Sequence, residues 1–310
     1  MASASSVQNQ QWLALSQEFA NAIEKVSGAI VAVHGGGRLS ASGIYWRRGL
    51  IVTSSHGIRR EEQLSITLPD KSSADAALVG RDPSTDVALL KVEKTSLSTM
   101  ETTSTTGLKV GHLVLAVGRS RLGDTAASSG VVARLGDAWR TWRGGEIDQL
   151  IRPDITLYRG QAGSALLNAR GQVLGMNSEV LARRAAITVP SATVDRVIAE
   201  LLEHGHIRRP YLGLAMQPVE LPQNIQQKLK LNSPTGLLVV HVEAEGPGGE
   251  AGLMLGDIIV RIQERQIGEL SDLQEVLRGL RSGDTAKLAI VRGGEARESN
   301  VTVGERPRRT

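Results

Sequence analysis

Residues 158–168 read YRGQAGSALLN, a turn-forming stretch that runs directly into a short apolar segment. Gly160 and Gly163 flank the turn, and glycine allows tight backbone conformations that other residues resist. Ala162 lies between them and contributes only a methyl group. The apolar segment SALLN is separated from the next one, QVLGMN, by turn-type residues. The stretch therefore predicts an elbow that leads into a pair of β-strands.

Short β-type runs of this kind recur from residue 29 to residue 189, and no long helix interrupts them. This spacing is typical of an all-β barrel or sandwich, so we predict a mainly β domain over residues 28–205. The runs are AIVAVH (29–34), ASGIYWR (41–47), LIVTSS (50–55), QLSITL (63–68), DAALVG (75–80), VALLKV (87–92), LVLAVG (113–118), GVVARL (130–135), SALLN (164–168), QVLGMN (172–177) and AAITV (185–189).

One clear helix closes this domain after Pro190. Ser191 is its expected N-cap, and Gly205 is suited to end it. Its apolar residues recur at helical spacing and predict a buried stripe. The stripe consists of Val194, Val197, Ile198, Leu201 and Leu202.

A second domain with strands and a helix is predicted over residues 211–305. Its strands are YLGLAM (211–216), GLLVVHV (236–242), GDIIVRI (256–262) and a closing hairpin that turns at Gly293-Gly294. Its helix starts at a capping-box pattern, Ser271–Gln274. We expect residues 206–210 to be a linker and residues 306–310 to be a disordered tail.

Residues 1–27 form a separate N-terminal segment with an amphipathic helix. Apolar side chains recur there at three- and four-residue steps: Trp12, Leu15, Phe19, Ile23 and Val26. We favour a helix packed on its own domain. The alternative is an oligomer contact, because this helix holds the only Phe and one of the four Trp residues.

The composition excludes several classes of function. The chain of 310 residues has no cysteine, which excludes disulfide scaffolds, thiol catalysis and cysteine-ligated zinc. It has neither a Walker loop nor a G-x-G-x-x-G stretch, and we give the pair His204 and His206 no metal-binding role, so we expect no cofactor and no metal.

The net charge of +4 does not indicate a nucleic-acid partner. The basic residues form scattered doublets without stacking aromatic residues between them, so a nucleic-acid-associated protein is the weakest alternative. These doublets are Arg47-Arg48, Arg59-Arg60, Arg183-Arg184 and Arg208-Arg209.

The N-terminal sequence MASASSVQNQ has no basic patch followed by an apolar stretch, and no apolar run reaches the ~20 residues of a membrane span. We therefore expect no membrane span and a cytoplasmic protein. The alternative is the periplasm or cell envelope, if the chain is a trimmed mature form.

His56 and Asp86 are the candidate catalytic side chains. His56 ends a predicted strand at a strand-to-loop corner, whereas the other histidines lie in apolar runs or at a helix end. Asp86 leads directly into an apolar strand, where a buried carboxylate must be hydrogen-bonded. It could orient an imidazole, or it could cap the turn at Asp82-Pro83-Ser84. The chain order His, Asp, glycine-rich elbow is the chymotrypsin-type order.

Four stretches resemble the HtrA/Deg serine proteases, which have a trypsin-like double β-barrel: TSSH, GRDPSTDVALLKV, GQAGSALLNARGQVLGMNS and AAITVPSATV. Downstream, RRPYLGL and GPGGEAGLMLGDIIVRI resemble the single PDZ domain of that family. The resemblance covers roughly residues 20–305. It implies a chymotrypsin-like double β-barrel followed by an α+β PDZ domain.

The resemblance also assigns roles to individual residues. His56 matches the general base, Asp86 its orienting carboxylate and Ala162 the nucleophile position, and the backbone N–H groups of Gly160 and Ala162 match the oxyanion hole. The departures lie in one loop, where Gln161, Ala162, Ser164 and Ala165 replace Asn, Ser, Gly and Pro. Ser164 lies about 6.5–7 Å along an extended chain from the nucleophile position, so we interpret it as structural.

In the second domain, Tyr211, Leu212, Gly213 and Leu214 match the carboxylate-binding loop of the family, whose amides receive a peptide C-terminus. The plain alternative is that YLGL is only a strand start. The resemblance further implies a homo-oligomer, a trimer through the N-terminal part, and unfolded polypeptides and peptide C-termini as partners.

Two functions remain open for a chain with Ala162. One is an HtrA-type endopeptidase whose serine has been replaced, so that the chain is inactive as written. The other is a natural pseudoprotease that binds peptides as a holdase or adaptor. By analogy, residues 177–188 are expected to line the pocket beside the scissile bond, where Ala185, Ala186 and Ile187 favour small or branched apolar side chains.

Overall fold

The computed structural model describes residues 4–37, 40–93, 97–182, 185–208, 210–229 and 234–305. The predictions for Arg183, Arg184, Arg209 and the tail 306–310 lie outside these residues. The chain divides into two compact units after Ile207. The predicted architecture, two β-barrels followed by a mixed α and β domain, is confirmed.

The first unit begins with helix α1 (Ala4–Ser27) and a closed six-stranded barrel. Neighbouring strands pair antiparallel around the barrel in the order β1-β2-β3-β6-β5-β4. The strands are β1 (Ile30–His34), β2 (Ala41–Arg47), β3 (Leu50–Ser54), β4 (Leu64–Thr67), β5 (Ser73–Asp82) and β6 (Val87–Val92).

A second closed barrel follows in the same unit, with the strand order β11-β14-β13-β12-β7-β8. Strands β9 and β10 form a small separate hairpin, and helix α2 (Ser191–His204) follows the last strand. The strands are β7 (Leu113–Arg119), β8 (Thr125–Gly136), β9 (Trp139–Arg140), β10 (Glu146–Ile147), β11 (Leu150–Asp154), β12 (Ala165–Asn168), β13 (Val173–Ser178) and β14 (Ile187–Pro190).

The apolar runs of β1, β3 and β6 are nearly continuous because these strands face two cores. Alternate residues point to opposite faces of a strand. Val31, Ile51 and Leu90 fill the barrel interior, whereas their neighbours Ile30 and Val52 join the core shared with the second barrel and the helices. This shared core places the functional site at the seam between the barrels.

Strand β11 was missing from the sequence-based prediction. Its sequence LIRPD contains a proline and two charged residues, so it lacks the apolar run of the other strands. Pro153 lies where the β8–β11 register shifts between Arg152 and Pro153, an irregularity that tolerates a residue without an N–H group.

Helix α2 follows the prediction except at its start and at Leu202. Val194, Val197, Ile198 and Leu201 are buried, but Leu202 is exposed. Ser191 is wrong as the N-cap, because Pro190 holds that position and the Ser191 hydroxyl donates to the Thr103 carbonyl. Gly205 ends the helix in the left-handed conformation, as predicted.

Among the side chains of helix α1 that the structure describes, from residue 10 onward, those of its last turns pack on the barrels. Ala22 and Val26 are buried, and Phe19 and Ile23 pack against the shared core. Trp12 is 70% exposed, so the predicted stripe is wrong for the first half of the helix.

The second unit contains a six-stranded sheet with the order β16-β17-β18-β20-β21, and β19 pairs with β18. Its strands are β15 (Pro210–Tyr211), β16 (Leu214–Glu220), β17 (Thr235–Val242), β18 (Ile258–Ile262), β19 (Arg265–Gln266), β20 (Thr285–Arg292), β21 (Glu295–Thr302) and β22 (Gly304–Glu305). Its helices are α3 (Gln223–Leu229), α4 (Pro247–Glu250) and α5 (Leu270–Arg278).

The predicted hairpin at Gly293-Gly294 is present, and both glycines have positive φ. The start of α5 differs from the prediction: Glu269 is the N-cap, and Asp272 completes the capping box. The pattern at Ser271–Gln274 was therefore assigned two residues too late. Helices α3 and α4 were not predicted.

Gly80 is a test of the packing between the first barrel and α2. A Cβ added at Gly80 would overlap the carbonyl oxygen of Gly205. We expect Gly80→Ala to lower the free energy of unfolding by about 1–3 kcal/mol, because the backbone of β5 or of the end of α2 would have to shift to make room for the added methyl group.

The matched control is Gly28→Ala, where an added Cβ meets nothing within 4 Å. It should leave stability within about 0.5 kcal/mol or raise it slightly. Urea unfolding curves of both variants measure the difference. Equal midpoints would contradict the described packing.

Candidate active site

His56 and Asp86 come together through the pairing of β3 with β6. His56 lies in a 3₁₀ turn, Ser55–Gly57, directly after β3, and Asp86 directly precedes β6. The register pairs Ser54 with Val87, and the Ser55 amide donates to the Asp86 carbonyl at 2.9 Å. Residues thirty positions apart in the sequence are therefore neighbours at one end of the barrel.

The Asp86 carboxylate is buried, with 1% of the residue exposed, and it accepts hydrogen bonds from both barrels. The ring Nδ1 of His56 lies 2.9 Å from Oδ2, and the His56 amide donates to Oδ1 at 2.9 Å. The hydroxyl of Ser178, on β13 of the second barrel, donates to Oδ2 at 2.7 Å. These donors compensate a charge that burial alone would make costly.

The turn before Asp86 has its own cap. Asp82 accepts hydrogen bonds from the Ser84 amide and hydroxyl and from the Thr85 hydroxyl, at 2.6–3.0 Å. Asp86 has a φ of 60°, in the left-handed region that aspartate enters more readily than most residues. Of the two alternatives left open for Asp86, the structure gives turn capping to Asp82 and the imidazole contact to Asp86.

The surroundings of His56 raise its pKa above the ordinary value of 6.5. Burial alone would lower this pKa, but the hydrogen bond to Asp86, the charge of Asp86 and the charge of Glu179 outweigh burial and the charge of Arg59. With the proton on Nδ1 facing Asp86, the second ring nitrogen, Nε2, is left to accept a proton.

The elbow around Ala162 packs against the strands that lead to His56. Gly163 has a φ of 81°, and a Cβ added there would lie 2.8 Å from the Ser54 amide nitrogen. The Ser42 amide donates to the Ala162 carbonyl at 2.8 Å. These contacts hold Ala162, which is 8% exposed, beside the strand end that carries His56.

Two backbone N–H groups of the elbow are available to a ligand. Within the described residues, the amides of Gly160 and Ala162 donate no hydrogen bond. The neighbouring polar groups form hydrogen bonds within the protein. The Ser42 hydroxyl donates to the Gly160 carbonyl at 2.7 Å, and the Gln161 side-chain oxygen accepts from the Tyr158 amide at 2.8 Å. Free amides at such a turn favour an oxyanion.

Ser164 has a structural environment. It is fully buried, and its hydroxyl accepts a hydrogen bond from Asn177 Nδ2 at 3.1 Å. Asn177 is in turn bonded to Thr188 at 2.8 Å. This interior network agrees with the interpretation that Ser164 is not a substitute nucleophile.

Sequence reasoning missed Ser42 and Ser178. Ser42 touches the elbow through its hydroxyl and its amide, and Ser178 touches Asp86 through its hydroxyl. The partners of the two hydroxyls in the site, Gly160 and Asp86, lie 118 and 92 residues away in the chain. No local pattern marks such residues, because neither a turn nor an alternation requires a serine at either position.

The segment 177–188, expected to line the pocket beside the scissile bond, contributes three residues to a cleft. This cleft of about 740 Å³ on the second barrel is lined by Ala185, Ala186 and Glu179, together with Ala133, Arg134, Arg152, Pro153, Asp154, Ile155 and Leu157. Ile187 is wrong as a lining residue, because it is buried in the shared core. Charged side chains on the wall mean that the cleft is not purely apolar.

The predicted carboxylate-binding loop of the second unit lies between two strands. Tyr211 pairs with Gly304, Leu212 is buried in the core, Gly213 has a φ of 70°, and Leu214 begins β16. The carbonyls of Leu212 and Gly213 accept bonds from inside the unit, while their amides donate none within the described chain. These amides are therefore free to bind an anion.

Both units match known domain families. Residues 41–176 match the trypsin-like peptidase domain, and residues 210–303 match the PDZ domain. A probable periplasmic serine endoprotease, DegP-like, from Pseudomonas putida is 32% identical over 264 residues, which cover 84% of this chain and 54% of the relative. A protein of the same name from Halomonas elongata is 29% identical over 264 residues, which cover 84% of this chain and 55% of that relative.

The chain belongs to the HtrA/Deg family. It spans about half the length of these curated relatives. The solved HtrA-type protease AlgW with decapeptide is similar in fold, with a TM-score of 0.73, 22% identity and coverage of 94% of this chain and 99% of that one. The serine endoprotease from Yersinia pestis gives a TM-score of 0.72, 23% identity and coverage of 93% and 98%.

The cytoplasmic location expected from the sequence is wrong. The relatives of this HtrA/Deg chain are named periplasmic serine endoproteases, which points to the periplasm. Among the described residues, no helix combines the length and apolarity needed to cross a membrane. In the same part of the chain, no cluster of three or more His, Cys, Asp or Glu residues is placed to hold a metal ion.

The raised pKa of His56 generates a prediction. In Asp86→Asn the His56 pKa should fall below 6.5, because burial and Arg59 then oppose only Glu179. In the unchanged protein, this pair contributes stability that is fully present below pH 6.5 and is lost as pH rises through the raised pKa. Histidine ring resonances followed by NMR against pH measure the shift.

The matched control is Asp70→Asn, since Asp70 is an exposed carboxylate bonded to Ser72. It should leave the His56 resonance and its pKa unchanged. A His56 pKa that is the same with Asn at position 86 would contradict the described contact.

Proposed function

We propose that the chain is an HtrA-type serine endopeptidase scaffold that is catalytically silent because Ala162 occupies the nucleophile position. The observation that carries the proposal is the combination around Ala162. The His56–Asp86 contact is formed, two elbow amides are free, and only the hydroxyl between them is lacking. Ser164, two residues further along the chain, is fully buried and bonded to Asn177.

The remaining residues have defined roles in this proposal. With a serine at 162, His56 would accept its proton through Nε2, and Asp86 would hold the ring and stabilise the imidazolium. The Gly160 and Ala162 amides would bind the oxyanion of the tetrahedral intermediate. Loss of the serine alone lowers turnover by about a million-fold in a comparable triad protease.

The PDZ unit is proposed to bind peptide C-termini. The free amides of Leu212 and Gly213 can receive a terminal carboxylate, and the adjoining β16 lies at the edge of its sheet, where a peptide can add as a further strand. Unfolded polypeptides are the proposed substrates and partners. The AlgW structures with decapeptide and with tripeptide are in keeping with a peptide ligand.

A natural pseudoprotease is a second candidate, favoured by one observation. Two other changed residues make side-chain bonds within the elbow: Gln161 Oε1 accepts from the Tyr158 amide, and Ser164 joins the buried bond to Asn177, while Gln161 Nε2 is buried without a partner among the described residues. A single recent replacement of the serine would not produce these adapted contacts. In this case the chain binds peptides as a holdase or adaptor.

A homo-oligomer, a trimer by family resemblance, is also proposed. Helix α1 presents Trp12 and Leu13 to solvent, 70% and 71% exposed, which is an apolar surface that association would cover. Light scattering should give three chain masses, and Trp12→Ser with Leu13→Ser should lower that mass. A single chain mass for the unchanged protein would contradict the trimer.

Restoring the hydroxyl tests the central proposal. Ala162→Ser should cleave casein at a rate about 10³-fold or more above the unchanged chain, and adding His56→Ala should abolish that gain. Circular dichroism checks that each variant is folded. If the folded Ala162→Ser protein stays inert, the scaffold is not competent and the pseudoprotease is the better account.

A further inference from the structure

The outer edge of β16 is the strand edge nearest the predicted carboxylate-binding loop. Strand β16 is terminal in the sheet order and pairs with β17 only on its inner side. It begins at Leu214, directly after the free amides of Leu212 and Gly213. A peptide whose terminal carboxylate is held by these amides would therefore extend along this edge, antiparallel to β16.

The hydrogen bonds to β17 show which residues face the open edge. The Glu243 amide donates to the Gly213 carbonyl at 2.9 Å, and the Leu221 amide donates to the Pro234 carbonyl at 2.7 Å. Gly213 and Leu221 therefore point inward. Because backbone groups alternate along a strand, the residues between them that point outward are Leu214, Met216, Pro218 and Glu220.

The register of the neighbouring strands gives the same assignment for Pro218. Pro218 lies opposite Leu237, whose other neighbour is Ile259 on β18. In β17, the Val239 amide donates to the carbonyl of Asp257, the residue directly before β18, at 2.8 Å. Leu237 shares the orientation of Val239 and so bonds away from β16. The backbone of Pro218 consequently faces the open edge.

Proline has no N–H group, so it interrupts the row of donors that an added strand would use. Leu214 and Met216 each offer an N–H group at the edge, whereas Pro218 offers only its carbonyl and places its exposed ring there. If the last peptide residue lies opposite Leu214, the third from the end lies opposite Met216 and the fifth opposite Pro218.

We propose that Pro218 restricts the main-chain pairing of a bound peptide mainly to about its last four residues, because the fifth residue from the end meets a carbonyl at Pro218 but no N–H donor. This inference rests on the proposed binding of peptide C-termini and specifies the ligand: a short free C-terminal tail. The protein then recognises polypeptides by their exposed ends and is indifferent to the strand propensity of the preceding sequence.

The test compares two peptides on the full chain. One is a decapeptide selected from a library of free C-termini on the unchanged protein, and the other is its last four residues. Isothermal titration should give affinities within about twofold of each other. Pro218→Val and Pro218→Ala each restore one donor, so they should tighten decapeptide binding about three- to tenfold and leave the tetrapeptide unchanged.

The matched control is Gln217→Val, which changes a residue of the same strand whose backbone already points inward to Leu238. It should alter neither affinity. A gain shared by Pro218→Val and Pro218→Ala identifies the restored N–H group as the cause, because the two side chains differ in size.

Two failures are distinguishable. If both Pro218 variants leave the ratio of the two affinities unchanged, the inference is overturned while peptide binding stands. If the library yields no peptide that binds the unchanged protein, the proposed binding of C-termini is overturned, and this inference with it. Thermal unfolding confirms that each variant compared is folded.

Discussion

The site depends on the hydrogen bonds that the buried carboxylate of Asp86 accepts. A charge with 1% exposure needs several donors, and here they come from both barrels: His56 on the first and Ser178 on the second. The same hydrogen bonds therefore fix the imidazole and bridge the seam between the barrels. Removing a donor would leave a buried charge without its partner, which is more costly than the bond itself is worth.

The rest of the elbow is held by packing and backbone bonds, and the side chain at position 162 takes no part in them. Gly163 fits against Ser54, and the carbonyls of Gly160 and Ala162 are bound by Ser42. A serine and an alanine differ by one oxygen, so this framework can stand with either residue. Under the proposed function, that separation between framework and reactive group would explain how a chain keeps the geometry of a protease site with a methyl group at the proposed nucleophile position.

The sequence predicted those features that depend on local patterns. Apolar runs marked most strands, Gly205 and the pair Gly293-Gly294 marked a helix end and a hairpin, and the position of Asp86 before an apolar strand marked a carboxylate in need of a donor. The charged strand β11 was missed because its alternation spans only five residues and includes Pro153, a residue that strands seldom hold.

The features that could not be predicted depend on long-range contacts or on competition between nearby residues. Ser178 reaches Asp86 across 92 positions, and no spacing rule links them. At the start of α5, Glu269 was a poor candidate by type, yet its side chain and Asp272 close the capping box together. The proposed role of Pro218 also required the strand register. A proline costs a bond to β17 if its nitrogen faces inward, and it removes a donor for an added peptide if its nitrogen faces the open edge.

The most direct measurement of the central claim is covalent labelling of Ala162→Ser by a fluorophosphonate, followed by intact-mass and peptide mass spectrometry. The account predicts one adduct, located at position 162 and lost when His56→Ala is added, because the attack needs both the restored hydroxyl and the imidazole. A folded protein that takes up no label, or that is labelled equally without the imidazole, would contradict it.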